Sequence, residues 1–199
     1  DLLSEIETPV YYMAGNHDNA GMLQRILLGS ADVKTPFDYE FEVNGVQVIC
    51  MDSNREAPPW CGKVSDEQLA WLSERCGADD PRPLIVALHH PVLRMGAPFW
   101  DEKMTMVNGE DFHQTLLPAR DRLRGVFSGH VHQNTAIIRD GIAYFTALSS
   151  WRQLMNFPDQ QEGEADRFAN PGFSIVTVTR EQTYVRRHTF IVDPGSMAE

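Results

Sequence analysis

Three short segments carry side chains able to hold metal ions and move protons: Gly15-Asn16-His17-Asp18, His89-His90-Pro91 and Gly129-His130-Val131-His132. They contain five of the chain's seven histidines, with only His113 and His188 outside. A neutral imidazole is a common ligand for zinc, manganese and iron, and an asparagine oxygen can complete the shell of a hard divalent ion. Each segment follows an apolar, strand-like run, so its polar groups stand at a strand end. The set reads as the ligands of a metal centre that handles phosphate esters. His130 and His132, two apart after a glycine, project to different sides of the chain, which suits two ions lying side by side, each taking one imidazole. His17 follows Asn16 and diverges from it in direction, which frees it to face a substrate. There it would hydrogen-bond a phosphoryl oxygen or protonate a leaving alkoxide, with Asp18 to orient it.

Each residue also has a plainer reading. Asn16 ahead of a helix is equally a cap. His90 before Pro91 reads as turn filler, or as support behind the ligands rather than a ligand itself. Asp52 at a strand end is either close to the metal or a turn former. Met95, Met104, Met106 and Trp100 either cover the core edge or form an apolar lip that grips a nucleoside or alkyl group beside the phosphate site. The coincidence of three strand-end clusters with matching chemistry outweighs the separate plain readings.

The elements that must position these groups are legible around them. Pro9-Val10-Tyr11-Tyr12-Met13-Ala14 is an apolar run closed by Gly15, the pattern of a strand buried on both faces. Met22, Leu23, Ile26 and Leu27 recur at helical spacing over 21–28, with Gly29 as the stop. Phe37 to Val43 alternates, and Asn44-Gly45 is the favoured hairpin turn into Val46 to Met51. Ser65 with Gln68 forms a capping box ahead of Leu69, Leu72 and Cys76. Leu84 to Leu88 is an apolar strand ending at His89, and Gly125 to Ser128 another that feeds the third cluster. The irregular stretch from Pro91 to Gly109 has the length of a functional loop. A short helix from Phe112 to Leu117 stops at Pro118. Strands over 135–138, 142–148, 174–178 and 184–191 follow, with a polar, mobile loop from Pro158 to Asn170. Early alternation of strand and helix with late hairpins predicts an α/β fold of two packed sheets flanked by helices. Ligands gathered at carboxyl ends of strands agree with that architecture.

Composition narrows the function. The 199 residues, 42% of them hydrophobic, are enough for one domain with a substantial core. A formal charge of −11 argues against wrapping a nucleic-acid backbone. It does not exclude a phosphate substrate, because bound cations reverse the local field and so become more necessary. No stretch is apolar and long enough to span a membrane. Three cysteines, Cys50, Cys61 and Cys76, without CxxC spacing fit a reducing compartment, which predicts a cytoplasmic protein.

The chain resembles the calcineurin-like metallophosphoesterases. GNHD at 15–18, LHHP at 88–91 and GHVH at 129–132 are similar in wording, order and separation to that family's later motifs. VSDEQLAWL at 64–72 and MVNGEDF at 106–112 resemble its class III cyclic-nucleotide phosphodiesterases and the related glycerophosphodiesterases. The resemblance implies a four-layer αββα sandwich and two divalent ions, manganese, iron or zinc. Asn16, His89 and His130 would bind one ion and His132 the other, with His17 on the phosphate and Asn108 near the substrate pocket. It implies hydrolysis of small organic phosphodiesters, of cyclic-nucleotide or glycerophosphodiester type, by a hydroxide that the dinuclear centre activates. A phosphomonoesterase or dinucleotide-polyphosphate hydrolase shares the same metal motifs.

The family's opening Asp-x-His and Gly-Asp-x-x-Asp motifs have no counterpart before Asn16. The expectation is therefore a single N-terminally truncated domain over 1–199 lacking two βα units, on the order of 60 residues. One metal site would be incomplete. A catalytically weak or inactive fragment that binds at most one metal is the competing expectation. An exposed sheet edge then predicts a homo-oligomer.

Overall fold

An Asn-Gly turn and an Asp-Gly turn close the two edges of the central sheet. The computed structural model describes residues 5–54, 57–58, 60–77 and 79–191. Strands β1 (Tyr39–Val43) and β2 (Val46–Met51) pair antiparallel through Asn44 and Gly45, at φ 49° and 79°. Both turn residues take the positive φ that matches the twist of the flanking strands. β3 (Leu84–Leu88) and β4 (Leu123–Ser128) continue the sheet, and β5 (Ala136–Arg139) and β6 (Ile142–Thr146) close it through Asp140-Gly141, at φ 50° and 81°. The order is β1-β2-β3-β4-β6-β5, parallel from β2 through β6 and antiparallel at either edge. The expected α/β class is thus present as a mixed central sheet.

Helix α1 (Ala20–Leu27) is capped by Asn19, whose side-chain oxygen accepts from the Met22 N–H, and Gly29 follows at φ 62°. Helix α2 (Asp66–Gly77) starts at the expected capping box: Ser65 N–H donates to Gln68 Oε1 at 2.9 Å and Gln68 N–H to Ser65 Oγ at 3.3 Å. Within the 91–109 stretch lies α3 (Pro98–Lys103), and α4 (Gly109–Leu116) follows it. Leu117–Ala119 forms a single 3-10 turn that takes Pro118 in its first positions, where the missing N–H costs nothing. Leu72, Phe112 and Leu116 bring α2 and α4 onto Ile49, Leu84, Val86 and Val126 in one buried core. His113, outside the three clusters, is a buried tie: its ring pairs with Tyr144 Oη at 2.6 Å and Asp140 at 2.9 Å.

Two short strands, β7 (Gln153–Leu154) and β8 (Ala165–Asp166), pair with each other, as do β9 (Gly172–Val178) and β10 (Thr183–Thr189). Residues 158–170, expected as a mobile loop, are therefore partly ordered by pairing. Phe99 N–H donates to Gln160 O at 3.0 Å, and Met155 N–H to Glu164 O at 2.8 Å.

One expected element is absent. Residues 9–14 form no strand; Val10, Tyr11 and Met13 are exposed and only Ala14 is buried. Among the described residues no neighbour completes a ladder for this segment, and an extended run without a partner is not a strand. It is held instead by Tyr11, whose ring lies flat on Phe41 with centroids 3.5 Å apart, and by Tyr12 O, which accepts from Tyr39 Oη.

Candidate metal centre

Because β3 and β4 are parallel neighbours, His89 and His130 leave the sheet on the same edge. Gly129 N–H donates to His89 O at 3.0 Å and ties the two strand ends together. His130 and His132 then take φ of 65° and 52°. That conformation costs a non-glycine residue about 1–3 kcal/mol and persists only where the surroundings enforce it. Residues 15–18 form a turn over this edge: Asp18 N–H donates to Gly15 O at 3.0 Å, and the Asp18 carboxylate accepts from Gly15 N–H at 2.8 Å. Asp18 thus closes the turn, a different task from orienting His17. A Cβ at Gly15 would stand 3.0 Å from the His89 ring, so glycine lets this backbone approach the imidazole.

The geometry brings Asn16, His89 and His130 together. His89 Nε2 is 2.9 Å from Asn16 Oδ1 and 3.1 Å from His130 Nδ1. Two ligand atoms at right angles on one ion, each about 2.1 Å from it, stand roughly 3.0 Å apart, so the spacing suits a shared cation. His130 Nε2 donates to Trp60 O at 2.8 Å, which puts the ring proton there and leaves Nδ1 bare as a ligand. His132 Nδ1 is buried with no hydrogen-bond partner among the described residues. An orphaned imidazole nitrogen is what a ligand atom looks like before its ion binds. These residues therefore fit divalent metal.

His90 is not turn filler. It is buried; its Nδ1 lies 2.8 Å from Ser53 Oγ, and its backbone N–H donates to the same hydroxyl. Its Nε2 is buried and unpartnered, and His89, His90 and His130 form one cluster of potential ligand atoms within 4.8 Å of one another. Asn16 is no helix cap either, since Asn19 caps α1. Asp52 proves to be a turn former: its carboxylate accepts from Phe37 N–H and Asn54 N–H. Asn108 clips the backbone of Val64 through both ends of its amide and is not among the residues lining the cleft.

Burial, with smaller contributions from neighbouring imidazoles, holds these rings neutral. His89 is pushed down to about 4, His130 to about 3 and His90 to about 2. His132 is lowered chiefly by burial, opposed by a hydrogen bond to the Arg152 backbone. A neutral ring keeps its lone pair available, so ion and proton need not compete at neutral pH.

Asn16, His17, His89, His130 and His132 all line one cleft of about 360 Å³, with Asp18, Trp60, Phe99, Met104, Arg152 and Leu154 completing its wall. Met104 and Phe99 stand on a second buried cluster with Trp100, Ala97 and Val131, so the expected apolar lip is built from part of the core edge. Met106 belongs to the main core. Trp60, Arg152 and Leu154 carry no local pattern that marks them for a site. A larger hollow of about 560 Å³ shares no lining residue with this cleft, and its arginines are paired, Arg94 with Asp101 and Arg139 with Glu110.

A sheet whose parallel strands end in a histidine cluster beside a cleft defines a metal-binding type of site, and family comparison agrees. The chain belongs to the calcineurin-like phosphoesterases, whose family model matches residues 1–134. Members of this family use divalent metals. The chain is 29% identical over 181 residues to a probable cyclic nucleotide phosphodiesterase of Rhodococcus erythropolis, covering 89% of this chain and 58% of the relative. It is 27% identical to the 3',5'-cyclic adenosine monophosphate phosphodiesterase CpdA of Vibrio vulnificus, covering 89% and 62%. To a probable glycerophosphodiester phosphodiesterase GpdQ of Arcobacter nitrofigilis it is 25% identical, covering 75% and 55%. The chain thus spans little more than half the length of these relatives. No helix among the described residues is long and apolar enough to cross a membrane.

Proposed function

We propose that this protein hydrolyses small organic phosphodiesters, of the cyclic-nucleotide or glycerophosphodiester type, in a metal-dependent reaction. The observation that carries this reading is the convergence of Asn16 Oδ1, His89 Nε2 and His130 Nδ1 beside a cleft wide enough for such a diester. The names of its relatives supply the substrate classes. Asn16, His89 and His130 would hold one ion, and His132, through its unpartnered Nδ1, would reach a second. Divalent ions there, manganese, iron or zinc, supply Lewis acidity that favours hydroxide over water and offsets charge building on the phosphoryl oxygens.

The chain's own groups do the rest. Trp60 O fixes the His130 tautomer, and Ser53 holds His90 behind the cluster. His17, exposed at the cleft wall, hydrogen-bonds a phosphoryl oxygen or gives its proton to the departing alkoxide. Trp60, Phe99, Met104 and Leu154 exclude water from the organic group. Free Cys50, Cys61 and Cys76 agree with a reducing, cytoplasmic setting. With manganese, bis(p-nitrophenyl) phosphate should be hydrolysed in preference to the p-nitrophenyl monoester. Activity on the monoester alone would overturn the diesterase reading.

A second reading is favoured by one observation. Among the described residues the only carboxylate lining the cleft is Asp18, and it is engaged by Gly15 N–H. The chain would then hold a single ion and act weakly or not at all. Metal analysis separates the two: two tightly held ions per chain refute the second reading, and one ion supports it.

A further inference from the structure

We propose that Arg152 is the substrate-binding cation of this cleft, its guanidinium taking the anionic oxygens of the phosphoryl group. Arg152 is the only lysine or arginine lining the cleft among the described residues. It is also unspent. Arg75, Arg82, Arg94, Arg120 and Arg139 each have a carboxylate within ion-pair distance. The Arg152 guanidinium has no carboxylate within ion-pair distance among the described residues and stacks over Trp151, 4.2 Å from the ring centroid, while its backbone takes a hydrogen bond from His132. In a chain with 28 acidic and 17 basic side chains, a cation free of carboxylates beside a phosphate site stands apart.

The turn that carries Arg152 is built to hold it still. Gln153, the next residue, is fully buried; its Oε1 accepts from Ser149 N–H at 3.1 Å and its Nε2 donates to Ser149 O at 2.6 Å. Trp151 N–H donates to Ser149 Oγ, and Gly172 N–H to Ser149 O. Leu154 O accepts from Nε2 of Gln133, the residue that directly follows the GHVH segment. A buried amide thus fixes the backbone on both sides of an exposed guanidinium, so the charge is positioned before any ligand arrives.

The chemistry of the cleft calls for such a group. Among the described residues its one carboxylate, Asp18, repels an anion, and Arg152 is the side chain placed to offset it. An arginine offers a planar fork of N–H donors that matches two oxygens of a phosphoryl group, and the loose stack on Trp151 can persist while it does so. Because the interaction exists before and after bond cleavage, it acts on affinity more than on turnover.

Two measurements on the manganese-loaded chain test this. The first is calorimetric titration with inorganic phosphate, which needs no catalysis. Arg152→Gln should weaken binding about tenfold, the loss of one charge-assisted contact, and Arg152→Lys should fall between that variant and the parent. Unchanged affinity in Arg152→Gln overturns the proposal. So does an Arg152→Lys as weak as Arg152→Gln, because the effect would then lie in the turn and not in the charge. The second measurement rests on the diesterase reading: with bis(p-nitrophenyl) phosphate, Arg152→Gln should raise KM about tenfold and change kcat by less than about threefold. A fall in kcat at constant KM overturns the binding role. Failure of the parent chain to hydrolyse any diester would sink the functional reading alone, and the phosphate titration would still decide Arg152.

Discussion

His89 Nε2 is the point on which the site turns, since Asn16 and His130 both meet it within 3.1 Å. Removing a group that meets it should therefore act on metal, and removing a group that only faces the cleft should act on turnover. Asn16→Ala and His89→Ala are expected to lose most bound manganese by elemental analysis. His17→Ala should retain its metal while turnover of the diester falls about 10²-fold or more. Equal metal loss in all three would remove the role given to His17. Ser53 and Trp60 O act one step back. They hold His90 and set the His130 tautomer without lying at the point where Asn16, His89 and His130 meet.

At the scale of elements, α2 is joined to the sheet by polar contacts as well as by Leu72. Gln68 closes the capping box and also donates from its buried amide to Asp52 O at 2.8 Å and Asp38 at 3.0 Å. Ser65→Ala should cost about 1 kcal/mol, the usual worth of a cap. Gln68→Ala should cost about 2–3 kcal/mol, because it strands buried partners as well. Urea denaturation of both variants checks the order; a Gln68→Ala no worse than Ser65→Ala would show that the buried contacts contribute little. Another link, between α4 and β5, is the Glu110–Arg139 pair at 2.7 Å. Hydrogen bonds from Arg139, and then from Gln114, lower the Glu110 carboxyl from 4.5 to about 2. Its folded-state value lies below its unfolded one, so its contribution is complete above about 4.5 and is lost as pH falls towards about 2. The pair is open to solvent, with the Arg139 side chain 41% and the Glu110 side chain 58% exposed, and its effect is small. Comparing urea midpoints of the parent and Glu110→Gln, the difference should shrink across that window; a difference that grows on acidification would contradict the sign.

For the molecule as a whole, the apolar side chains left in solvent bear on association. Val10, Tyr11, Met13, Met22, Ile26 and Leu27 are all exposed, on the segment and helix that flank Asn16 and His17. Apolar side chains left in solvent in such number invite burial against another surface. The 199-residue chain is therefore expected to self-associate, with a mass above 22.5 kDa in light scattering. A stable monomer at high concentration would count against this. Association through these residues would also steady the turn that carries Asn16, so metal affinity should rise with protein concentration.

The amino-acid sequence by itself determined the hairpin at Asn44-Gly45, the capping box at Ser65 and Gln68, the strands before His89 and His130, and the family. Each of these depends on neighbours a few residues apart, where turn geometry and hydrophobic period are written directly in residue order. The run at 9–14 looked like a strand for the same reason and is not one, because a strand requires a ladder partner that no local pattern can supply. Only the tertiary structure decided that Asp18 serves Gly15, that Asn108 clips Val64, and that Trp60 and Arg152 share a cleft with His17 and His132. Except for Asp18 and Gly15, which share one tight turn, those residues lie far apart along the chain. Their meeting depends on how sheet edges, the β7 turn and a buried glutamine pack, and packing joins residues that the order of the chain keeps separate.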